Sequence, residues 1–293
     1  MGLITTIQNK TEQVRAKERI RPLLESRMMR DILLEIGQRG TEKLDPQSVP
    51  LEQRPLATKR AAECGTAGLQ QSVIREVLLD ETGIILYAGT GEVSLHLSAR
   101  AADEAACEAR MAPLLAEVRQ RLGGYLYGED ISGLEEAVFR LCRDRHLTLS
   151  AAESCTGGLI AKRLTDVPGA SQIFLGGVVS YTNEVKNHVL GVPASLLEAY
   201  GAVSAPVARA MAVGVRVLTG SDLALSVTGL AGPGGDDRGT PVGTVFTALS
   251  APEGVFVRRL TLGGSRERIR VLSAHHAFDL LRRYLTDQMT EGE

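Results

Sequence analysis

Four stretches of this 293-residue chain concentrate side chains able to do chemistry. AESCTGG, residues 152–158, sets Ser154, Cys155 and Thr156 side by side ahead of Gly157 and Gly158. SYTNEVK, residues 180–186, crowds a phenol at Tyr181, an amide at Asn183 and an ammonium at Lys186. A serine beside a partly desolvated lysine makes a nucleophile and a general base, because burial disfavours the charged ammonium. TGLAGPGGDDRGTPVGTV, residues 228–245, carries Thr228, Gly229, Gly232, Gly234 and Gly235 between two apolar runs. Glycines and prolines so dense imply backbone conformations that other residues resist, and let a ligand approach the backbone closely. GGSRERIR, residues 263–270, places Arg266 and Arg270 one helical turn apart, so both can face one phosphate or carboxylate.

Each stretch also has a plainer reading. Ser154 suits the N-cap of a tight strand-to-helix turn, and Asn183 the cap of a surface helix. The glycine-rich stretch suits a loose hairpin loop; it lacks the GK[ST] ending of a P-loop and the GxGxxG pattern. The two arginines suit bracing of the last helix. Backbone N–H groups around Thr156, Gly157 and Thr228 suit an anion or a developing oxyanion. Cys155 is a rival nucleophile, with no histidine partner nearby in the sequence. Taken together, the four loops describe a site for a small phosphorylated substrate.

Composition narrows the classes. A formal net charge of -2 gives no global attraction to nucleic acid or to an acidic membrane. The 44% hydrophobic content is enough for a substantial core. The four cysteines, at 64, 107, 142 and 155, form no CxxC pair, and the five histidines show no ligand spacing. No metal and no cofactor is therefore expected. No apolar run approaches the roughly 20 residues that span a bilayer, and no signal peptide opens the chain, so a cytoplasmic protein is expected.

Periodicity then places the loops on elements. Residues 1–63 read as a helical or irregular segment. Residues 64–130 read as a small α+β unit: a helix over QQSVIREVLLDETG ending at Gly83, a strand at EVSLHLSA, a long amphipathic helix, and a closing strand at YLYG. From 131 to 293 strand-like and helix-like runs alternate. That alternation predicts a three-layer α/β/α domain with a mostly parallel or mixed sheet. Ligands in such folds sit where strands end and loops lead into helices.

The motifs AESCTGGLIAKRLTDVPGAS, FLGGVVSYTNEVK, SVTGLAGPGG, PVGTV and GSRERIR, in this order, resemble the C-terminal domain of the CinA family, the nicotinamide-nucleotide amidohydrolase domain. The resemblance covers about residues 133–286. Upstream, GTAGLQQSVIREVLLD, GEVSLHLSARAADEA and RLGGYLYGED resemble the KH-like domain that precedes it in full-length relatives. Those relatives begin with a molybdopterin-binding-like domain associated with ADP-ribose pyrophosphatase activity; about sixty residues are too few for it, so that activity is not carried over. Ser265 stands where relatives usually have Asp, and Thr240 where many have Lys. The resemblance implies deamidation of nicotinamide mononucleotide to nicotinate mononucleotide and ammonia. It makes Ser154 the nucleophile and Lys186, assisted by Tyr181, the acid/base. Thr156, Gly157, Gly158, Asn183, Thr228, Gly229, Gly232, Gly234, Gly235, Arg266 and Arg270 are then the substrate-binding candidates. A homodimer is the expected assembly. The alternative is a non-catalytic nucleotide-binding or interaction protein linked to competence or damage response.

Overall fold

A computed structural model of the chain describes residues 4–10, 75–79, 82–88, 90–99 and 103–289. It divides into two compact units, Met1–Asp130 and Ile131–Glu293.

The first unit is an antiparallel five-stranded sheet in the order β2-β3-β4-β1-β5. Its strands are β1 (Ile4–Lys10), β2 (Arg75–Leu79), β3 (Thr82–Ala88), β4 (Glu92–Ala99) and β5 (Leu126–Glu129). Helix α1 (Glu104–Leu122) is capped by Asp103, whose side chain accepts from the Ala106 N–H at 2.8 Å. Strand β4 buries alternate residues, Val93, Leu95, Leu97 and Ala99, against Cys107, Met111, Leu114, Val118 and Leu122 of the helix.

Two expectations fail here. Residues 75–79 form a strand rather than a helix, pairing Leu78 with Gly83 and Leu79 with Thr82 across a hairpin. Gly83, read as a helix stop, lies inside β3 opposite Ser98. Local helical spacing loses to pairing with the next strand, in a continuous register from Arg75 opposite Leu86 to Leu79 opposite Thr82. Residues 4–10 also form a strand, paired with both β4 and β5, so the opening segment contributes to this sheet. Ile4, Thr5, Thr6 and Ile7 are β-branched, which favours that outcome. The rest of the helix expected at QQSVIREVLLDETG, and of the opening 63 residues, lies outside the described residues.

The second unit is a mixed sheet, as its alternating runs predict, with five strands in the order β10-β9-β8-β6-β7. In chain order its elements are α2 (Leu134–Asp144), β6 (Leu149–Glu153), α3 (Leu159–Thr165), β7 (Phe174–Val179), α4 (Asn183–His188) and α5 (Ala194–Tyr200), then α6 (Ala205–Thr219), β8 (Leu223–Gly229), β9 (Thr244–Ala251), β10 (Gly254–Thr261) and α7 (Arg266–Leu285). Strand β6 runs parallel to β7 and β8, and β9 is antiparallel to β8 and β10. Strand β6 is buried along its whole length, as a central strand covered on both faces must be. Helix α6 packs across β6, β8, β9 and β10. Its Val207, Met211 and Val215 share a core with Ala152 and Ala224 of the sheet. Helix α7 packs on β8 and β9 and against α2 and α3, completing the third layer.

Gly214 of α6 shows how closely the layers approach. A Cβ there would lie 1.9 Å from the Leu190 carbonyl oxygen, so the helix backs directly onto the chain just after α4. Lys186, on α4, lies four residues before Leu190.

Candidate active site

Strand β6 ends at Glu153, and the turn 154–158 carries the chain into α3. Glu153 is buried, and its carboxylate accepts from the N–H groups of Gly158, Ile160 and Ala161 at 3.0, 3.0 and 2.9 Å. These are donors that a helix start leaves without intrahelical partners. The carboxylate therefore fills the N-terminus of α3, and Ser154 is not its cap; Gly158 occupies that position. An external anion has no place at Gly158, where one was expected.

Ser154 is held at both backbone groups. Its N–H donates to the Val227 carbonyl at 2.9 Å, and its carbonyl accepts from the Gly157 N–H at 3.1 Å. Its Oγ accepts from Lys186 Nζ at 3.1 Å. The same ammonium donates to the Ser180 carbonyl at 2.7 Å. Lys186 is 1% exposed, and its hydrogen-bond partners among the described residues are a hydroxyl and a carbonyl rather than a carboxylate. Burial pushes its pKa down to about 8, against a weaker opposing effect of Cys155. A lysine in that range is partly neutral near physiological pH, and so is able to take the hydroxyl proton it touches. Cys155 is the poorer nucleophile: burial pushes its thiol up to about 12, which withholds the reactive thiolate.

The other candidates divide into those that reach this centre and those that frame it. Gly157 and Gly158 take φ of +60° and +93°, conformations that glycine adopts without steric cost. Thr156 is 0% exposed, and its Oγ1 is buried without a hydrogen-bond partner. Thr228 is buried and donates its hydroxyl to the Ala202 carbonyl at 2.7 Å, tying β8 to the segment before α6. Tyr181 is 58% exposed; its hydroxyl accepts from Arg266 Nη2 at 2.9 Å and makes no hydrogen bond to Ser154 or Lys186. Asn183 is exposed at the first position of α4, whose cap is Thr182, accepting from the Val185 N–H at 3.4 Å.

The glycine-rich loop is fastened, not loose. Asp236 accepts from the Arg238 and Thr240 N–H groups at 3.1 and 2.8 Å. Arg238 in turn donates to the carbonyls of Glu198 and Ala199 at the end of α5. Gly229 and Gly232 answer to packing: a Cβ would lie 2.6 Å from Val245 Cγ2 and 2.8 Å from Val242 Cγ1, respectively. Gly234 and Gly235 are exposed.

Arg266 and Arg270 do not converge on one point. Arg266 bridges the loop to Tyr181, donating to the Gly232 carbonyl at 2.6 Å as well as to the phenol. Arg270 reaches the carbonyls of Cys155 and Thr156. Ser265 caps α7, accepting from the Arg268 N–H at 3.2 Å, so serine fills the role there.

Glu153 and the Ser180 carbonyl are the functional groups that residue types did not single out. The signal for Glu153 is an acidic residue closing an otherwise apolar strand just before a glycine turn. The Ser180 contact depends on the turn between β7 and α4, which brings Nζ back to a carbonyl six residues earlier.

Among the described residues no group of three His, Cys, Asp or Glu side chains is placed to hold a metal ion. None of their helices is long and apolar enough to cross a membrane.

Residues 131–285 match the family described as CinA C-terminal domain, and residues 66–128 match the damage-inducible protein CinA KH domain. A relative from Symbiobacterium thermophilum, named as a competence-damage inducible protein, is 49% identical over 223 residues, 72% of this chain and 52% of its own length. A CinA-like protein of Desulfovibrio desulfuricans is 48% identical over 209 residues, 70% of this chain and 49% of its own. The chain thus spans about half the length of the curated relatives it matches. Among solved structures, competence damage-inducible protein A from Klebsiella pneumoniae is 33% identical with a TM-score of 0.52, over 53% of this chain and 97% of that one. A competence or damage-inducible protein from Enterobacter asburiae is 30% identical with a TM-score of 0.51, over 52% and 96%. With its motifs, its sheet and the family match over residues 131–285 all in agreement, the chain belongs to the CinA family.

Proposed function

We propose that the second unit is an amidohydrolase that deamidates nicotinamide mononucleotide. The observation that carries this reading is the 3.1 Å contact between Lys186 Nζ and Ser154 Oγ in a site that keeps the lysine out of water. An amide is a poor electrophile with a poor leaving group, so its hydrolysis needs an activated nucleophile and an acid for the departing nitrogen.

The neutral Lys186 amine takes the Ser154 proton as Oγ attacks the carboxamide carbon. The resulting ammonium protonates the amide nitrogen, and ammonia leaves. An ester between Ser154 and the nicotinoyl group remains. Water, deprotonated by the again neutral Lys186, attacks that ester, and the lysine returns a proton to Oγ as nicotinate mononucleotide departs. The Ser180 carbonyl keeps Nζ aimed through both halves of the cycle. Arg266, exposed and joined to the site through Tyr181 and Gly232, is the group best placed to turn onto the substrate phosphate. Tyr181 then lies on the substrate side of the site, its part in proton transfer being indirect.

The test is ammonia release from nicotinamide mononucleotide by the purified full chain. Release that stops in Ser154→Ala supports the reading. No release from the unaltered protein would overturn it, leaving a binding or interaction role within a family named for competence and damage induction.

A further inference from the structure

Arg270 sits one turn into α7, where the sequence pairs it with Arg266 on a phosphate. Its guanidinium is engaged elsewhere. Nε donates to the Cys155 carbonyl at 3.2 Å and Nη2 to the Thr156 carbonyl at 2.7 Å. These carbonyls are consecutive and belong to the two residues that follow Ser154. A planar guanidinium offers its N–H groups in a fixed fork, which a single ammonium cannot reproduce.

Peptide planarity carries this hold to the nucleophile. In a trans peptide the carbonyl of one residue and the N–H of the next point in opposite directions. Fixing the Thr156 carbonyl therefore aims the Gly157 N–H, and that N–H donates to the Ser154 carbonyl at 3.1 Å. Fixing the Cys155 carbonyl likewise aims the Thr156 N–H, which donates to no other described residue. Gly157 completes the arrangement. A Cβ at that position would lie 3.3 Å from Arg270 Nη2, so the residue that makes the turn also leaves room for the fork.

We infer that Arg270 is a positioning residue for Ser154, holding two consecutive peptide planes so that Oγ stays before Lys186 Nζ. It acts from one side of the turn as Glu153 acts from the other, one on carbonyls and one on N–H groups. Two of the five guanidinium N–H donors are committed to these carbonyls, so the Nε/Nη2 edge of the fork faces the turn rather than a phosphate. The inference rests on Ser154 being the nucleophile, and its test separates the two claims.

The experiment compares the full chain with Arg270→Ala and Arg270→Lys. One readout is the rate at which a small fluorophosphonate labels Ser154, which needs an armed serine but neither a phosphate site nor an amide substrate. The other is kcat and KM for nicotinamide mononucleotide and nicotinamide riboside. Labelling and kcat are expected to fall by about tenfold to a hundredfold, the scale of a small misplacement of a reacting group. The fall should be alike for both substrates, with KM for the mononucleotide within about twofold. Millimolar guanidinium should restore part of the lost labelling in Arg270→Ala. If the alanine variant does not fold, the lysine variant decides, because it keeps the charge and most of the packing but loses the fork. Labelling at the unaltered rate, or a rise in KM confined to the mononucleotide, would overturn the inference. So would a full chain whose Ser154 does not label. Labelling that depends on Arg270 in a protein that releases no ammonia would uphold the inference and sink only the amidohydrolase reading.

Discussion

The turn at 154–158 and the loop at 229–243 are both glycine-rich, both follow a buried strand, and both border the same site. They use glycine for different ends. In the turn, Glu153 takes three N–H groups, Arg270 takes two carbonyls, and Gly157 and Gly158 supply the left-handed backbone that lets the chain close so tightly. In the loop, Gly229 and Gly232 are held against valine side chains, whereas Gly234 has no atom within 4 Å of where a Cβ would stand. On the reading proposed above, one segment holds a reacting atom still. The other is fastened at its middle, by Asp236 within the loop and by Arg238 to the end of α5, and leaves Gly234 and Gly235 in solvent. Glycine content alone does not say which of these a loop will be; the partners of its polar groups do.

The comparison breaks most sharply at the nucleophile. Ser154→Ala should lower amide hydrolysis by about a thousandfold or more with the fold intact, as judged by kcat and by thermal melting. Lys186→Met replaces the buried ammonium by an apolar chain of similar length and should cost about a hundredfold to ten-thousandfold in kcat, with no loss of stability. An unchanged rate would show that another group takes the Ser154 proton.

Glycine substitutions sharpen the contrast between the two segments. Gly157→Ala forces a side chain onto a φ of +60° and against Arg270, which should cost about 1–2 kcal/mol from the backbone alone. Gly234→Ala should change stability by no more than about 0.5 kcal/mol. Denaturant unfolding of the two variants checks both, and equal losses would erase the distinction. The smallest effect is expected at the start of α7. Ser265→Asp keeps the cap and adds a negative charge at a helix N-terminus, a gain of about 0.3–1 kcal/mol readable as a slightly higher Tm.

Residue types marked Ser154 and Lys186 as a candidate nucleophile and base, each with a plainer structural reading beside it; the family resemblance joined them, and the fold places them 3.1 Å apart. The alternating runs after residue 131 gave the layers, since each segment carries its own period. What depends on distant chain was not legible. Arg270 and the turn it holds are 114 and 115 residues apart, and spacing within GSRERIR suggests only a partner for Arg266. Residues 75–79 show the same limit at short range. Their spacing fits a helix, and only pairing with 82–88 makes them a strand. Asn183 is a milder case, since the cap it suits is supplied one residue earlier by Thr182.

The most direct test of the Ser154–Lys186 account is the pH dependence of ammonia release from nicotinamide mononucleotide. The base is the neutral amine, and burial lowers the Lys186 pKa to about 8, so protonation below that value removes it. The account predicts that kcat/KM rises by about tenfold per pH unit at low pH and levels off above about pH 8, with no such curve in Lys186→Met. A rate that is flat from about pH 6 to about pH 10, or that falls as the lysine loses its proton, would contradict it.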